Sequence, residues 1–379
     1  MVSFVSKWKE CHLGDLITFQ RGHDLPKTKM RSGEYPVVGS NGIIGYHNEY
    51  TTDAPSITIG RSGNVGKPFL YNGKSWSHNT TLYIKEYKNV EPIFIYYYLQ
   101  TLDLGNYAGG SAVPTLNRNH IHTLNVSVPV EIEEQRQIAS ILSSLDDKIK
   151  LNSTINENLE QQAQAIFKSW FVDFKPFGGV MPEDWNVCTL DSICNLIIKG
   201  ITPKYTEDSE QLVINQKCVR NHQIDLSLAR PHIPKKTNEK WLKYGDILVN
   251  STGTGTLGRA AQVLFVPNNL TVDSHVTIIR ASKAEYIHFL GLWATSHEHD
   301  FVMLQTGSTG QTDLPRERLK KMQILLPSID ILKKFSSIIK PISDTQINNH
   351  QENQRLSALR DTLLPKLMNG EIDVSQVRI

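Results

Sequence analysis

Ile138-Ala-Ser-Ile-Leu-Ser-Ser-Leu-Asp-Asp-Lys-Ile-Lys-Leu-Asn-Ser-Thr-Ile-Asn156 carries Ile138, Leu142, Leu145, Ile149, Asn152 and Asn156 alternately four and three residues apart, and the spacing continues through Leu159, Ala163, Ile166 and Trp170. This is a heptad seam along one helix. It returns near the end of the chain as Phe335, Ile339, Ile342, Gln346, Asn349, Asn353, Leu356, Arg360, Leu363 and Leu367, with both asparagines at the same steps of the register. Asparagine in an apolar seam costs stability and fixes register, because an amide wants another amide opposite it. Antiparallel pairing with the centres aligned sets Asn152 against Asn353 and Asn156 against Asn349; this is the preferred arrangement, although parallel pairing would match them too. Each helix has room for about 40 residues, roughly 60 Å at about 1.5 Å per residue. Pro341 is expected to interrupt the second helix near its start.

Working outward, the rest of the chain also repeats. Trp8, Cys11 and Leu13 recur as Trp185, Cys188 and Leu190, and Arg21-Gly22 recurs loosely as Lys199-Gly200. Gly60-Arg-Ser-Gly-Asn-Val-Gly-Lys67 has its counterpart in Thr252-Gly-Thr-Gly-Thr-Leu-Gly-Arg259, each followed by an apolar, strand-like run. His78 and His275, Gly110-Ser111 and Gly307-Ser308, and the strand ends Val126-Ser-Val-Pro129 and Ile324-Leu-Leu-Pro327 complete the match. Each repeat is therefore Gly-rich and mixed β, then helical.

A chain of 379 residues with 21% charged and 39% hydrophobic residues has ordinary globular composition and enough length for two or more domains. No apolar run approaches the roughly 20 residues of a spanning helix. The opening Met-Val-Ser-Phe-Val-Ser-Lys-Trp-Lys9 lacks the order of a secretory signal, so a cytoplasmic location is expected. Cys11, Cys188, Cys194 and Cys218 fit neither a zinc ribbon nor a disulfide scaffold and read as buried free thiols. A net charge of +2 permits a nucleic-acid partner without demanding one.

The order Gly-rich β domain, long helix, Gly-rich β domain, long helix resembles the DNA specificity subunit of type I restriction-modification systems across essentially the whole chain. Gln164-Ala-Ile-Phe-Lys-Ser-Trp-Phe-Val-Asp-Phe174 is similar to the end of that family's central helix, and Leu363-Leu-Pro-Lys-Leu-Met-Asn-Gly-Glu-Ile372 to its C-terminal one. Tyr35-Pro-Val-Val-Gly-Ser-Asn-Gly-Ile-Ile-Gly45, Pro55-Ser-Ile-Thr-Ile-Gly-Arg61 and Gly245-Asp-Ile-Leu-Val249 resemble segments of its target recognition domains. The resemblance implies an α+β chain with a pseudo-two-fold internal repeat, its two mixed α/β target recognition domains separated by two long antiparallel coiled-coil helices. The expected bounds are 1–130 and 176–327 for the recognition domains, 131–175 for the central helix and 328–379 for the C-terminal one. It further implies double-stranded DNA as ligand and two adenine methyltransferase subunits as partners, with two optional translocating restriction subunits. No catalytic residue, cofactor or metal is implied.

Other motifs give way on context. Gly253-Thr-Gly255-Thr-Leu-Gly258, with Asp273 about 20 residues on, fits a dinucleotide fingerprint and supports the alternative of a single-chain methyltransferase using that loop for S-adenosylmethionine. Yet Arg259-Ala-Ala-Gln-Val-Leu-Phe-Val266 reads as a strand, where a helix N-terminus would have to face the phosphates. Gly60 to Lys67 imitates a phosphate loop with one residue too many, and Pro68 stands where Ser or Thr is needed. His297-Glu-His299-Asp300 and His120-x-His122 lack zinc-ligand spacing and read as surface histidines. A scaffold without any nucleic-acid role is the third possibility.

Base readout requires bidentate donors and acceptors, while phosphate contacts supply register. In the first half the candidates are Ser40, Asn41, Arg61, Ser62, Asn64, Lys67, His78 and Asn79 as surface contacts, with Arg21 and Lys27 for the DNA backbone. In the second they are Lys204, Gln216, Lys217, Arg220, Asn221, Ser251, Thr252, Thr254, Arg259 and His275. The framework repeats while these loops differ, so the expected target is asymmetric and split.

Overall fold

The computed structural model describes residues 7–110, 114–233, 238–307 and 312–374. It divides into two compact units, Met1–Leu151 with Glu352–Ile379, and Asn152–Gln351. Ser111 and Ser308, the second members of the matched Gly-Ser pairs, lie outside the described residues.

In the first unit a four-stranded antiparallel sheet runs in the order Ile17–Arg21, Thr81–Tyr87, Ser56–Gly60, Pro68–Tyr71. In the second the order is Cys194–Lys199, Val276–Ala281, Ile247–Asn250, Ala260–Gln262, the same connectivity. Even an irregularity repeats: register slips between Thr18 and Phe19 in one sheet and between Cys194 and Leu196 in the other. Each unit adds a three-stranded sheet whose middle strand, Tyr35–Gly39 or Leu212–Ile214, has one antiparallel and one parallel neighbour. A two-stranded ribbon completes the set, Trp8–His12 with Asn125–Pro129 and Asn186–Thr189 with Gln323–Leu326.

These strands are apolar on the faces they bury. Ile57, Ile59, Leu82 and Ile84 of the first sheet close on Phe94, Ile95 and Tyr98 of helix Pro92–Gln100. That helix starts where Pro92 can sit without losing a bond and where the Glu91 side chain accepts the Ile93 N–H. Its counterpart Ile287–Ser296 packs Phe289, Leu290 and Trp293 on Ile247, Val249 and Ile279.

The seams form the two long helices, Ile132–Phe171 and Ile329–Met368, 40 residues each. Within the first unit Arg360 Nη1 meets Asp146 Oδ1 at 2.7 Å and Asn353 Nδ2 donates to the Ile149 carbonyl at 3.2 Å. Within the second, Asn349 Nδ2 donates to Asn156 Oδ1 at 2.8 Å, and Asn156 Nδ2 to the Gln346 carbonyl at 2.9 Å. In each unit one helix rises in number as its neighbour falls, so the pair is antiparallel, and the expected Asn156–Asn349 contact is present. Phe167, Phe171 and Trp170 pack around Phe335 with ring centroids 4.7 to 6.3 Å apart.

One expectation about the helices fails. The second helix runs through Pro341 without a break. Pro341 is exposed, so the carbonyl freed by its missing N–H can face water. Meanwhile Phe335, Ile339 and Ser343 on the opposite face are buried, which holds the turn together. The Thr345 hydroxyl donates to the Pro341 carbonyl at 2.9 Å. The four cysteines are free, and only Cys218 is fully buried; desolvation nevertheless pushes the Cys194 thiol up to about 12. Among the described residues no helix is long and apolar enough to cross a membrane.

Candidate nucleic-acid interface

Two glycines set the geometry. A Cβ on Gly22 would lie 2.1 Å from the His78 carbonyl oxygen, and one on Gly200 2.0 Å from that of Val272. Only glycine lets the strand carrying Arg21 or Lys199 press against the segment that leads into the central strand of the sheet.

In the first unit this brings four loops together. Gly22 N–H donates to Thr81 O at 3.0 Å, Arg61 and Ser62 N–H donate to Thr80 O at 2.8 and 3.2 Å, and Leu116 N–H donates to Arg61 O at 2.8 Å. Ser40 N–H reaches Thr80 Oγ1 at 3.3 Å, and His78 Nδ1 lies 3.2 Å from the same oxygen. Arg21, Ser40, Arg61, Ser62 and His78 therefore share one neighbourhood, with Asn41 and Asn64 exposed on adjoining turns. Burial and the charge of Arg21 both lower the pKa of the Arg61 guanidinium. Two cations are thus held near one another, and among the described residues neither forms an ion pair with a carboxylate. The Asn79 amide is engaged by Asp24 at 2.6 Å. Lys67 is exposed, its ammonium 5.7 Å from the Phe69 ring. Lys27 sits on a separate turn, Lys27–Lys29. Ser40, expected at the surface, is buried beneath Gly63, whose Cβ would meet the Ser40 hydroxyl at 3.1 Å.

The second unit builds the equivalent place around an amide, a hydroxyl and an imidazole. Gln216 Nε2 donates to the Thr252 carbonyl at 2.8 Å and contacts Thr252 Oγ1, which lies 2.8 Å from His275 Nδ1. Asn250 Nδ2 donates to the Gln216 carbonyl at 3.1 Å. Thr254 is exposed at the tip of a loop in which Gly253, Gly255 and Gly258 all have positive φ. Ser251 is not a surface group as expected: it is fully buried, with its hydroxyl 2.5 Å from that of Thr277. Lys217, Arg220 and Asn221 are exposed on the segment after Gln216, while Lys204 is exposed elsewhere, its carbonyl accepting from Ile233 N–H. Arg259 is half-buried at the loop's exit, beside Glu298, whose carboxylate accepts the Ala260 N–H at 2.7 Å. That exit enters strand Ala260–Gln262, so Gly253 to Gly258 opens no helix. Asp273 accepts the His275 N–H at 2.9 Å and so shapes that turn, and burial raises its pKa.

Sequence reasoning missed a cleft of about 470 Å³ in this unit, lined by Lys199, Gly200, Lys240, Pro315, Arg316 and Glu317 among others, where Arg316 Nε meets Glu317 Oε1 at 3.2 Å. Lys199 Nζ meets Asp313 Oδ1 at 2.5 Å, and Asp313 bridges Thr252, which joins the cleft to the loop. The signal for Lys199 was its match to Arg21, and for Arg316 the match of Leu314-Pro-Arg to Leu116-Asn-Arg118. Lys240 had none; its ammonium donates to the Gly200 carbonyl at 2.9 Å. His122 and His297 are not plain surface histidines: His122 Nε2 accepts the Phe19 N–H at 3.0 Å, and His297 stacks on Trp293 at 4.6 Å.

Comparison with known proteins decides the family. The profile of the type I restriction modification DNA specificity domain matches residues 5–161 and again 182–358. The chain belongs to the type I restriction-modification DNA specificity family. The type I restriction enzyme MjaIX specificity subunit of Methanocaldococcus jannaschii is 27% identical over 309 residues, 75% of this chain and 70% of that one. The HindI specificity subunit of Haemophilus influenzae is 25% identical over 335 residues, covering 68% and 71%. The crystal structure of the S subunit from M. genitalium superposes with a TM-score of 0.68 over 97% of this chain and 98% of that one, at 16% identity, a likeness of fold. The two profile matches correspond to the two copies of the sheet framework. The role of this specificity-family chain is DNA sequence recognition, and the single-chain methyltransferase reading is not favoured.

Proposed function

We propose that each unit reads one half of a split, asymmetric duplex site, and that the chain performs no chemistry itself. The observation that carries this reading is the pair of unlike polar surfaces at the same place in a duplicated framework. One surface holds Arg21 and Arg61, which among the described residues lack a neutralising carboxylate; the other holds Gln216, Thr252 and His275 in one hydrogen-bonded row. A guanidinium suits guanine or phosphate, and amides and hydroxyls suit adenine and mixed edges. Of the candidates above, Arg21, Asn41, Arg61, Ser62, Asn64, Lys67 and His78 would serve one half-site, and Gln216, Lys217, Arg220, Thr252, Thr254 and His275 the other.

The chemistry would come from methyltransferase subunits, two per chain in keeping with the repeat, with restriction subunits added in turn. Exposed apolar residues on the long helices, Leu151 and Leu359 in the first unit and Ile338 in the second, suit docking of such subunits. Mapping methylated adenines in the host genome with and without this chain tests the reading. The expected pattern is a bipartite, non-palindromic motif that vanishes on deletion. A methylation pattern unchanged by deletion, or a continuous short motif, overturns it.

A further inference from the structure

The three-stranded sheets of the two units differ at one connection. In the first unit Tyr35–Gly39 turns directly into Gly42–His47 through Ser40 and Asn41. In the second, the path from Leu212–Ile214 to Arg230–Pro231 makes an excursion that includes the hairpin Val219–Arg220 with Gln223–Ile224. This excursion carries Gln216, Lys217, Arg220 and Asn221, all candidates for DNA contact. Its two-residue turn is Asn221-His222, and both residues have left-handed φ, 50° and 58°. A turn left-handed at both positions strongly favours glycine at the second; here a histidine occupies it.

The imidazole accounts for that choice. Its Nδ1 lies 3.1 Å from Glu160 Oε1 on the first long helix, and its Nε2 lies 3.7 Å from Glu298 Oε1 on helix Glu298–Met303. Glu160 also accepts from Gln164 Nε2 at 3.2 Å and from Gln346 Nε2, on the second long helix, at 3.4 Å. Glu298 in turn holds the Ala260 N–H at the exit of the Gly-rich loop. At the hairpin's other end Asp225 N–H closes on Cys218 O at 2.8 Å, and the adjoining Gln216 grips Thr252. One connected path, all inside the second unit, therefore runs from both long helices through His222 to the loop.

Building on the reading above, we propose that His222 is a positioning residue that ties the second unit's reading loop to its portions of the long helices. Among the described residues the first unit has no such tie at its Ser40-Asn41 turn, so any partner that shifts the helices would be felt by one half-site more than the other. The titratable groups facing the imidazole are Glu160 and Glu298, and both favour the imidazolium. The hydrogen bond that the His222 ring donates to Glu160 raises the pKa of His222, burial opposes it, and the charges of Glu160 and Glu298 add to the rise. A group with a raised folded-state pKa contributes fully below its unfolded value, about 6.5 for histidine, and loses its contribution as pH climbs through the folded value. The tie therefore weakens on the alkaline side.

The test uses the full chain assembled with its methyltransferase subunits, as wild type, His222→Gly and His222→Gln. Amide exchange protection of residues 219–224 is measured at about pH 6 and about pH 8.5, a range that brackets the titration of such a histidine. Wild type should lose protection on the order of tenfold across that interval, a change of roughly 1.4 kcal/mol. His222→Gln should be flat with pH. His222→Gly, although it suits the turn better, should be unprotected at both values while the first unit is unchanged. In parallel, methylation of a duplex library randomised in both half-sites should show discrimination lost in one half only for His222→Gly. Retained protection and discrimination in the glycine variant, or equal loss in both halves, overturns the proposal. If wild type shows no sequence preference at all, the functional reading fails instead, and the exchange measurement still decides the tie.

Discussion

The two sheet frameworks share connectivity, one register slip and one obligatory glycine each, yet they are fastened differently. In the first unit Thr52 and Ser77 pair hydroxyls at 2.6 Å, as do Ser56 and Ser75, all of them buried. In the second the corresponding region holds a buried ion pair: Arg280 Nε and Nη2 meet Asp246 Oδ1 and Oδ2, each at 2.7 Å, and the guanidinium also donates to the carbonyls of Glu239 and Trp241. At the reading surfaces the first unit sets the Arg21 and Arg61 guanidinium groups beside its loop, whereas the second sets Gln216, Thr252 and His275 there, with Lys217 and Arg220 exposed on the adjoining segment. A framework fixed by backbone geometry thus leaves both its fastenings and its loops free to differ.

The sharpest break of this comparison is Asp246→Ala. It leaves the Arg280 charge buried without its partner and should destabilise the second unit by about 3–5 kcal/mol, whereas Ser56→Ala should cost the first only about 1 kcal/mol. Chemical denaturation with tryptophan and exchange probes in each unit would check both; equal losses would show that the two fastenings are equivalent. Next in size, Arg61→Ala should relax preference at one base position of one half-site by about 1–3 kcal/mol and leave the other half-site untouched. Sequencing of methylated library duplexes reads this directly. A uniform loss across sequences would instead make Arg61 a phosphate contact. Smallest is Asn349→Ala, which leaves Asn156 Oδ1 without its donor and should lower stability by about 1 kcal/mol. Replacing Asn156 and Asn349 together by leucine should recover that loss while weakening register, seen as a second helix pairing in cross-linking.

Much of the fold was legible because its signals are local. The heptads of Ile138 to Trp170 and Phe335 to Leu367 fix two helices by spacing alone, and the repeat of Trp8, Gly22 and Gly60 in Trp185, Gly200 and the Thr252 loop announces two copies of one framework. Pro341 misled because a proline's cost depends on whether the freed carbonyl meets water and whether the opposite face is packed, and neither is written in neighbouring residues. Ser40 and Ser251 misled likewise: small polar residues in Gly-rich loops suit both a surface and a buried position, as where Ser251 pairs its hydroxyl with that of Thr277.

By itself, then, the sequence determined which segments are helices and strands, that the architecture is doubled, and that asparagines must face amides. Tertiary structure alone decided that the helices pair antiparallel, since both directions satisfy the asparagines in one dimension. It alone brought Arg61 to Arg21, Lys240 to Gly200 and His222 to Glu160, because contacts between distant segments are set by strand pairing and the packing of sheets, whose partners no short-range pattern specifies.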